Sequence, residues 1–512
     1  MKITPRTVQI LFGITALTLV RCVVPAEQGE LWRAASSNLQ PGQPIGVAAT
    51  PAPATFLPPT REPGEPILTP TPDAQRFLPT LRVNEEQYIL LPGDTLGKVA
   101  NNFQVSLELL IQANNIANPD IVSVGQLLVI PAPTPQPPGS GFKIIPDSEL
   151  IYGPASITLD VFQFIKSSGG YLSTYTETLD DGIYTGAEIV LKVAREYSVN
   201  PRILLAVMEY LSGWITKSQP AEETLEYPIL YYDPDRAGLY RQLSWAANKL
   251  NRGYYLWKVN ALSHYALADN GMTPVNGSIN AGTAGVQQLM AALLDRANWD
   301  IAVSERGVFA VYSQLFGYPF DLAIEPILPA DLSQATMQLP FESGVVWSFT
   351  GGPHAGWGDG SAWAAIDFAP PPGAYNCSVS DAWVTAISAG LVVRTEMGVV
   401  VVDLDGDGLE QTGWTVLYLH VSSQDRVAAG SMVAAGDRIG HPSCEGGVSN
   451  GTHLHLARRY NGEWIPADGS LPFVLDGWVS RGAGAEYNGT LELDGATVEA
   501  WDRLVPQNQI SR

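Results

Sequence analysis

The stretch Gly451-Thr452-His453-Leu454-His455 places two histidines two positions apart. Successive side chains of a β-strand point to opposite faces, so a strand here puts both imidazoles on one face and Leu454 on the other, towards the core. Two imidazoles that converge in this way are suited to metal binding or acid–base chemistry. The stretch therefore predicts a β-strand that carries a chemical site on one face.

Histidines are concentrated in this part of the chain. The sequence has six, and all except one lie in its last third: His354, His420, His441, His453 and His455. Such clustering indicates metal or acid–base work. His441 stands apart from the others, because it lies in a Gly-His-Pro turn and is predicted to be an exposed loop residue.

Two further residues are candidates for the same site. His420 ends a run of alternating side chains, 416–420, and this alternation predicts a third imidazole on the face shared with His453 and His455. Asp367 follows an apolar run, which indicates an acid that is either buried and paired or a metal ligand.

The surrounding sequence, from about 342 to 469, consists of short Val-rich segments between Gly-containing turns. The clearest strand candidates are 392–394, 399–402, 415–420 and 452–457. This texture predicts a mostly antiparallel β domain.

The region 345–470 resembles the lysostaphin-like zinc peptidases, on Gly351-Gly352-Pro353-His354, on 417–420 and on Gly451 to His455. Most of that family has a histidine four positions before the aspartate, where this chain has Trp363. The offset of 13 between His354 and Asp367 (367 − 354) is similar to that of the beta-lytic branch.

The resemblance implies one Zn²⁺ per chain, held by His354, Asp367 and His455, with water at a fourth position. It also implies that His420 and His453 move protons and stabilise the oxyanion. The alternative is a domain of the same fold that has lost its metal and serves as a scaffold.

Length and composition limit the remaining possibilities. A chain of 512 residues is expected to form two to four domains. The net charge of −22 argues against a polyanionic partner such as nucleic acid, and a glycan or peptide polymer fits it better. Prolines cluster at 41–80 and 131–138, which predicts two extended linkers around a small module.

That module, 86–132, is predicted to run strand, helix, helix, strand, with Ser106 as the N-cap of the second helix. It resembles the LysM family, notably at 92–96 and 125–126, which implies binding of N-acetylglucosamine glycans such as peptidoglycan or chitin. The contacts carried over are Gly93, Asp94, Thr95, Asn114, Asn115 and Ile116. Asp94 and Thr95 fit equally well as caps of the first helix.

The middle of the chain, 147–335, is predicted to be helical, most clearly at 186–197, 201–211, 242–250 and 286–298. At 200–207, at 212–214 and loosely at 280–288 it resembles lysozyme-like transglycosylase domains. That family has a general-acid glutamate where this chain has Leu211, and Glu209 lies about 200° away around the helix. A non-catalytic helical domain is therefore predicted, either a glycan cradle or a spacer.

The N-terminus is typical of an export signal, with Lys2 and Arg6 before the apolar run 7–20. Lipid attachment at Cys22 and an uncleaved membrane anchor remain alternatives. In an exported chain Cys377 and Cys444 are expected to form a disulfide, the alternative being two separate buried thiols.

The predicted organisation is multidomain α+β. It comprises a signal peptide or membrane anchor (1–26), a Pro-rich linker (27–85), the LysM module (86–132), a second linker (133–146), a helical lysozyme-like domain (147–335) and a zinc metallopeptidase domain with a C-terminal extension (336–512).

The function predicted from this organisation is an exported metalloendopeptidase that acts on peptidoglycan. The alternative is a non-catalytic peptidoglycan-binding or regulatory protein of the envelope. Asp403, Asp405 and Asp407 resemble the start of a calcium loop, but an acidic hairpin turn is favoured because Trp414 replaces the Glu at the twelfth position.

Overall fold

The computed structural model describes residues 84–103, 105–119, 121–132, 137–371 and 376–512, together with Pro70, Asp73, 75–78 and Arg82. The predicted export signal, Cys22 and most of the first Pro-rich linker lie outside these residues. Within the described part of the chain, no helix is both long and apolar enough to cross a membrane.

The small N-terminal module has the predicted order of elements. They are β1 (Glu86–Ile89), α1 (Leu96–Asn102), α2 (Leu107–Ala113) and β2 (Leu127–Ile130). The strands pair antiparallel, with Tyr88 opposite Leu128. Ser106 caps α2 by accepting a hydrogen bond from the Leu109 N–H, as predicted.

The segments on either side of this module are held at one place on the middle domain. The backbone N–H groups of Asp73 and Arg76 donate to the carbonyls of Ser278 and Gly277, at 3.0 and 2.8 Å. Gly139, beyond the module, donates to the nearby Pro274 carbonyl at 2.8 Å. Part of each predicted linker is therefore bound to the middle domain.

The middle domain is helical, as predicted, with two small hairpins. Its elements are α3 (Val161–Ser168), β3 (Thr176–Leu179), β4 (Gly182–Thr185), α4 (Gly186–Tyr197), α5 (Pro201–Ser212), α6 (Leu239–Lys258), β5 (His264–Ala266), β6 (Met272–Pro274), α7 (Ala281–Leu293), α8 (Arg296–Ala302) and α9 (Val308–Phe316). Ile144 and Ile145, which lie in the second predicted linker, are fully buried in its core.

The C-terminal domain is built from strands. They are β7 (Trp347–His354), β8 (Ala365–Ala369), β9 (Val384–Thr385), β10 (Gly390–Glu396), β11 (Val399–Asp403), β12 (Trp414–Leu419), β13 (Met432–Val433), β14 (Arg438–Gly440), β15 (Leu454–Tyr460), β16 (Glu463–Trp464), β17 (Val474–Leu475), β18 (Trp478–Gly482), β19 (Gly489–Leu493), β20 (Ala496–Glu499) and β21 (Gln509–Ile510). Its large antiparallel sheet has the order β13-β10-β11-β12-β15-β8-β7-β21. The antiparallel β prediction is confirmed.

Both faces of the large sheet are buried, which explains the nearly continuous valine runs of its central strands. One face, with Val416, Tyr418 and Leu456, packs inside the C-terminal domain. The other, with Leu417 and Ala457, joins the hydrophobic core of the middle domain. The middle and C-terminal domains therefore share one core.

Candidate functional site

Asp367 and His455 lie side by side on the central strands of the sheet. They are direct partners in the antiparallel register of β8 and β15. Their neighbours Ile366, Phe368 and Leu454 point into the core of the C-terminal domain, so Asp367 and His455 point to the opposite face. The predicted alternation around Leu454 is confirmed.

His354 reaches the same point from the end of β7. The pairing of β7 with β8 shifts register twice, between Phe349 and Gly351 and between Gly351 and His354. A Cβ atom at Gly351 would lie 2.6 Å from Asp367 Oδ2, so a glycine is needed to leave room for the carboxylate. The Gly-rich motif before His354 thus has a steric role.

Three atoms that could bind a metal ion form a nearly equilateral triangle. His354 Nε2 lies 3.0 Å from His455 Nδ1 and 3.2 Å from Asp367 Oδ1, and His455 Nδ1 lies 3.3 Å from Asp367 Oδ1. Ligands of a tetrahedral Zn²⁺, bonded at about 2.0–2.1 Å, are separated by about 3.3–3.4 Å. The observed separations are close to these values.

The outer nitrogens of both imidazoles face backbone carbonyls. His354 Nδ1 lies 2.8 Å from the Gly352 oxygen, and His455 Nε2 lies 3.1 Å from the Gly356 oxygen. An N–H on each outer nitrogen leaves an inward lone pair on the other, as metal-binding histidines require. Asp367 Oδ1 is enclosed and receives no hydrogen bond from the residues that the structure describes. A cation between the three atoms would offset the repulsion of their lone pairs, so the residues fit a zinc ion.

The electrostatics of this cluster favour an ionised carboxylate. Burial alone would raise the pKa of Asp367, but the adjacent imidazoles, His354 above all, lower it well below its usual range. Burial lowers the pKa of His455, whereas at His354 the Asp367 carboxylate outweighs burial and raises the pKa. The negative charge of Asp367 is therefore available to a cation.

His420 reaches the site in a way that alternation does not explain. Val416 and Tyr418 point into the core of the C-terminal domain, so a regular strand would carry His420 away from His455. His420 instead has a φ of 67°, a left-handed conformation that turns its side chain back. Its ring lies 4.5 Å from that of His453, between centroids. The prediction that these imidazoles share a face holds, but its reason was wrong.

The outer nitrogens of His420 and His453 are also engaged. His420 Nδ1 lies 3.1 Å from the Glu445 oxygen, and His453 Nδ1 lies 2.8 Å from the Gly451 oxygen. Burial, together with the neighbouring imidazoles, lowers the pKa of His420 to about 3, so its ring is neutral at pH 7. With Nδ1 engaged, each histidine has its Nε2 left for the site, and the Nε2 of His453 is 3.9 Å from Asp367 Oδ2.

Three protein families match the chain: the LysM domain at residues 88–131, the N-terminal domain of LasA at 143–328 and peptidase family M23 at 361–466. The last match covers Asp367, His420, His453 and His455. The C-terminal domain belongs to peptidase family M23.

Individual relatives match parts of the chain. Protease LasA of Pseudomonas aeruginosa is 28% identical over 302 residues, which are 54% of this chain and 66% of that protein. The match thus spans just under two thirds of that relative. Secreted LysM effector ECP6 of Passalora fulva is 35% identical over 66 residues, covering 13% of this chain and 28% of the effector.

Two solved structures are similar to the M23 domain. The deep-sea M23 metalloprotease pseudoalterin has 23% identity, a TM-score of 0.28 and coverage of 35% of this chain and 100% of its own. The catalytic domain of lysostaphin from Staphylococcus simulans has 23% identity, a TM-score of 0.17 and coverage of 25% and 89%. Scores this low say nothing about the arrangement of the whole chain.

His354, His420, His453 and His455 line a cleft of about 740 Å³ that the middle domain helps to form. The β3–β4 turn, with Asp180 and Asp181, and Tyr197 and Tyr240 contribute to its walls. The sequence predicts the middle domain as a separate unit, and its part in this cleft was not predicted. Lys192 of the middle domain forms an ion pair with the M23 domain, because its Nζ lies 3.6 Å from Glu396 Oε2. The same Nζ lies 2.9 Å from Glu196 Oε1 within the middle domain.

Tyr487 also lies at the site and was not predicted from the sequence. Its ring stacks on His354, with centroids 4.2 Å apart, and it has a φ of 66°, which is rare for a bulky side chain. It lies in the extension that follows the M23 match. Tyr487 is 32 positions beyond His455 (487 − 455), and no motif spacing in the sequence links the two residues.

His441 is not an exposed loop residue, and that prediction was wrong. It is buried, its Nδ1 lies 2.9 Å from the Ala382 oxygen, and its ring packs on Trp383 at 3.8 Å. The polar Gly-His-Pro context did not reveal that β9 and its flanks cover this turn. His441 has a structural role.

The three aspartates of the β11–β12 turn come within ligand distance of one another. Their carboxylates already accept hydrogen bonds from the turn: Asp403 from the Asp405 and Gly408 N–H groups, and Asp407 from the Leu409 N–H. This pattern agrees with the favoured acidic turn, and calcium binding there stays a prediction.

In the LysM domain, three of the predicted glycan ligands use their side chains in internal contacts. Asp94 accepts hydrogen bonds from Tyr88 and the Leu91 N–H. Asn114 bonds the backbone of Val129 in both directions, at 2.7 Å each way. Thr95 caps α1 through the Lys98 N–H. Gly93, Thr95 and Asn115 are exposed, whereas Ile116 is half-buried.

The middle domain matches the N-terminal domain of LasA, and its resemblance to lysozyme-like enzymes stays a prediction. Leu211 is half-buried on α5. Glu209 accepts hydrogen bonds from the Ile215 and Thr216 N–H groups and from the Thr216 hydroxyl. This carboxylate secures the loop after α5, and the lack of a general acid in this domain stays a prediction.

Proposed function

We propose that this protein is an exported zinc endopeptidase that hydrolyses peptide bonds in the stems or cross-bridges of peptidoglycan. The observation that carries the proposal is the triangle of His354 Nε2, Asp367 Oδ1 and His455 Nδ1, with separations of 3.0 to 3.3 Å. One carboxylate and two imidazoles are a ligand set typical of catalytic zinc, which keeps a fourth position open.

His354, Asp367 and His455 would hold the ion, and their outer hydrogen bonds to Gly352 and Gly356 would fix the ring orientations. When bound, zinc supplies Lewis-acid activation of water and of the scissile carbonyl. The cleft is large enough for a short peptide segment.

His420 and His453 would carry out the proton transfers. Each has its Nδ1 on a backbone carbonyl and its Nε2 towards the cluster, so Nε2 is the atom that meets the substrate. One of them takes a proton from the attacking water, and the other stabilises negative charge on the carbonyl oxygen. Proton delivery to the leaving amine completes the hydrolysis.

The LysM domain would bind the glycan and keep the active site close to its peptides. Such tethering raises the local substrate concentration. Both flanking segments are held beside Gly277, which ties the module to the middle domain on either side. An envelope or extracellular location follows from this substrate.

The test uses purified full-length protein and isolated sacculi. We expect wild-type protein to release new amino groups, a chelator to stop the release, and added zinc to restore it. The alternative function, a binding protein with a vestigial site, gives sedimentation with sacculi without release and well under one zinc per chain. New reducing sugar ends would instead indicate glycan cleavage by the middle domain.

A further inference from the structure

One loop of the M23 domain contacts both His420 and His453. It comprises residues 444–452, between β14 and β15, and is called here the 444–452 loop. At its start, the Glu445 carbonyl lies 3.1 Å from His420 Nδ1. At its end, the Gly451 carbonyl lies 2.8 Å from His453 Nδ1. The loop therefore sets the orientation of both rings.

The start of the loop is fixed to the strand that carries His420. The Ser443 N–H donates to the His420 carbonyl at 2.7 Å. The Glu445 carboxylate accepts hydrogen bonds from the Ser422 hydroxyl at 3.0 Å and the Ser423 N–H at 2.8 Å. Gly398 packs so closely that a Cβ there would lie 2.0 Å from the Glu445 oxygen. The carbonyl that receives His420 Nδ1 thus has little freedom.

A second segment, 376–378, holds both ends of the loop. Cys377 forms a disulfide with Cys444, with a Cα–Cα distance of 5.2 Å. At the other end, the Thr452 N–H donates to the Asn376 carbonyl at 2.8 Å, and the Thr452 hydroxyl lies 2.6 Å from the Ser378 carbonyl. The loop is closed covalently next to the His420 contact and by hydrogen bonds next to His453.

We propose that the 376–378 segment and the 444–452 loop form a clamp that positions His420 and His453 against the His354–Asp367–His455 cluster. Cys444, Glu445 and Thr452 are positioning residues, because none of the three lines the cleft and each holds the loop that contacts the two histidines. None of the contacts of the clamp involves the three proposed zinc ligands, so loosening it affects the histidines and leaves the ion in place. The inference rests on the proposed function, which gives the histidines their roles.

The test compares zinc-loaded full-length variants on soluble cross-linked muropeptides prepared from sacculi. Thr452→Val removes the hydroxyl contacts at one end of the loop but keeps the backbone N–H bond to Asn376. The double variant Cys377→Ser/Cys444→Ser removes the covalent closure at the other end. Each is expected to lower kcat about 10- to 100-fold, as loss of outer contacts does at comparable sites, with KM changed by less than about twofold. One zinc per chain is retained, and Thr452→Ser, which keeps the hydroxyl, restores kcat.

A control variant, Thr412→Val, removes a hydroxyl that donates to Asp407 in the acidic turn, and it should leave kcat unchanged. A second readout is independent of turnover: imidazole ¹⁵N spectra should show the Nδ1–H of His453 altered in Thr452→Val and that of His420 altered in the double cysteine variant. Unchanged spectra with kcat within about twofold of wild type would overturn the clamp, as would loss of zinc. If wild-type protein leaves muropeptides intact, the proposed function fails, and the spectra alone decide on the clamp.

Discussion

His455 stands directly opposite Asp367 across two central strands, and His455 Nδ1 lies 3.3 Å from Asp367 Oδ1. A rigid, doubly buried sheet thus fixes two of the three proposed ligands, and only His354 depends on an irregular segment. Rigid placement of this kind favours a defined metal geometry.

Replacement of the carboxylate tests the ligand set. Asp367→Asn keeps the size of the side chain and removes its negative charge. Two neutral imidazoles do not replace that charge, so we expect the zinc content to fall from one per chain to near zero. Elemental analysis after dialysis measures it. His264→Gln, at the one histidine outside the M23 domain, serves as the control, and equal zinc loss in both variants would contradict the assignment.

Gly351→Ala tests the steric part of the site. The new Cβ would lie 2.6 Å from Asp367 Oδ2 and must displace the carboxylate. We expect zinc affinity to drop about 10- to 100-fold, measured by competition with a chromogenic chelator. Gly97→Ala is a suitable control, because the nearest atom to its Cβ is 4.0 Å away. An unchanged affinity in Gly351→Ala would show that the carboxylate is free to move.

Glu410 gives the protein a measurable acid sensitivity. Burial would raise its pKa, but Arg394 and Arg459 outweigh burial and lower the pKa from 4.5 to about 2. Since the folded-state value is the lower one, its stabilisation is complete above pH 4.5 and is lost as the pH falls towards 2. The shift corresponds to about 3 kcal/mol.

Chemical denaturation at several pH values tests this. Glu410→Gln should be less stable than wild type at pH 7, and the gap should narrow between pH 4.5 and 2. The exposed pair Glu342–Arg438 provides the control, Glu342→Gln, whose small effect should vary little with pH. A constant gap for Glu410→Gln would argue against the low pKa.

Much of this molecule could be predicted from its sequence, because local pattern determines it. The faces of His455 and Leu454 follow from strand alternation, and the LysM strands and helices follow from periodicity and a cap. His420 shows the limit of such prediction. Its left-handed backbone conformation turns its side chain to the face of the sheet opposite to the one that alternation along β12 assigns. Burial of His441 and stacking of Tyr487 on His354 depend on long-range packing, which local pattern does not encode.

The shared core gives a prediction of its own. Trp464 is buried between the middle and M23 domains, and its indole N–H donates to the Tyr197 carbonyl. Trp464→Ala should cost about 3–5 kcal/mol and lower the melting temperature of both domains together. Calorimetry should show one transition for them, whereas Trp501→Ala, at a half-exposed site, should change little. Separate transitions for the two domains would contradict a shared core.

The LysM domain offers two adjacent asparagines with different expected roles. Asn115 is exposed, so Asn115→Asp should weaken sedimentation with sacculi and leave the stability of the domain unchanged. Asn114→Ala should destabilise the domain, because it leaves groups of Val129 without partners, at about 1–3 kcal/mol each. Hydrogen exchange separates the two effects. Equal binding by Asn115→Asp and wild type would remove Asn115 from the glycan contacts.

The most direct measurement is the release of new amino groups from sacculi by wild-type protein and by His453→Ala and His420→Ala, each with its zinc content determined. Loss of a general acid–base residue costs about 10²- to 10⁴-fold in rate. We expect robust release by wild type, a loss of that size in both variants, and one zinc per chain in all three. Zinc-loaded wild-type protein that releases no amino groups, or variants as active as wild type, would contradict the account.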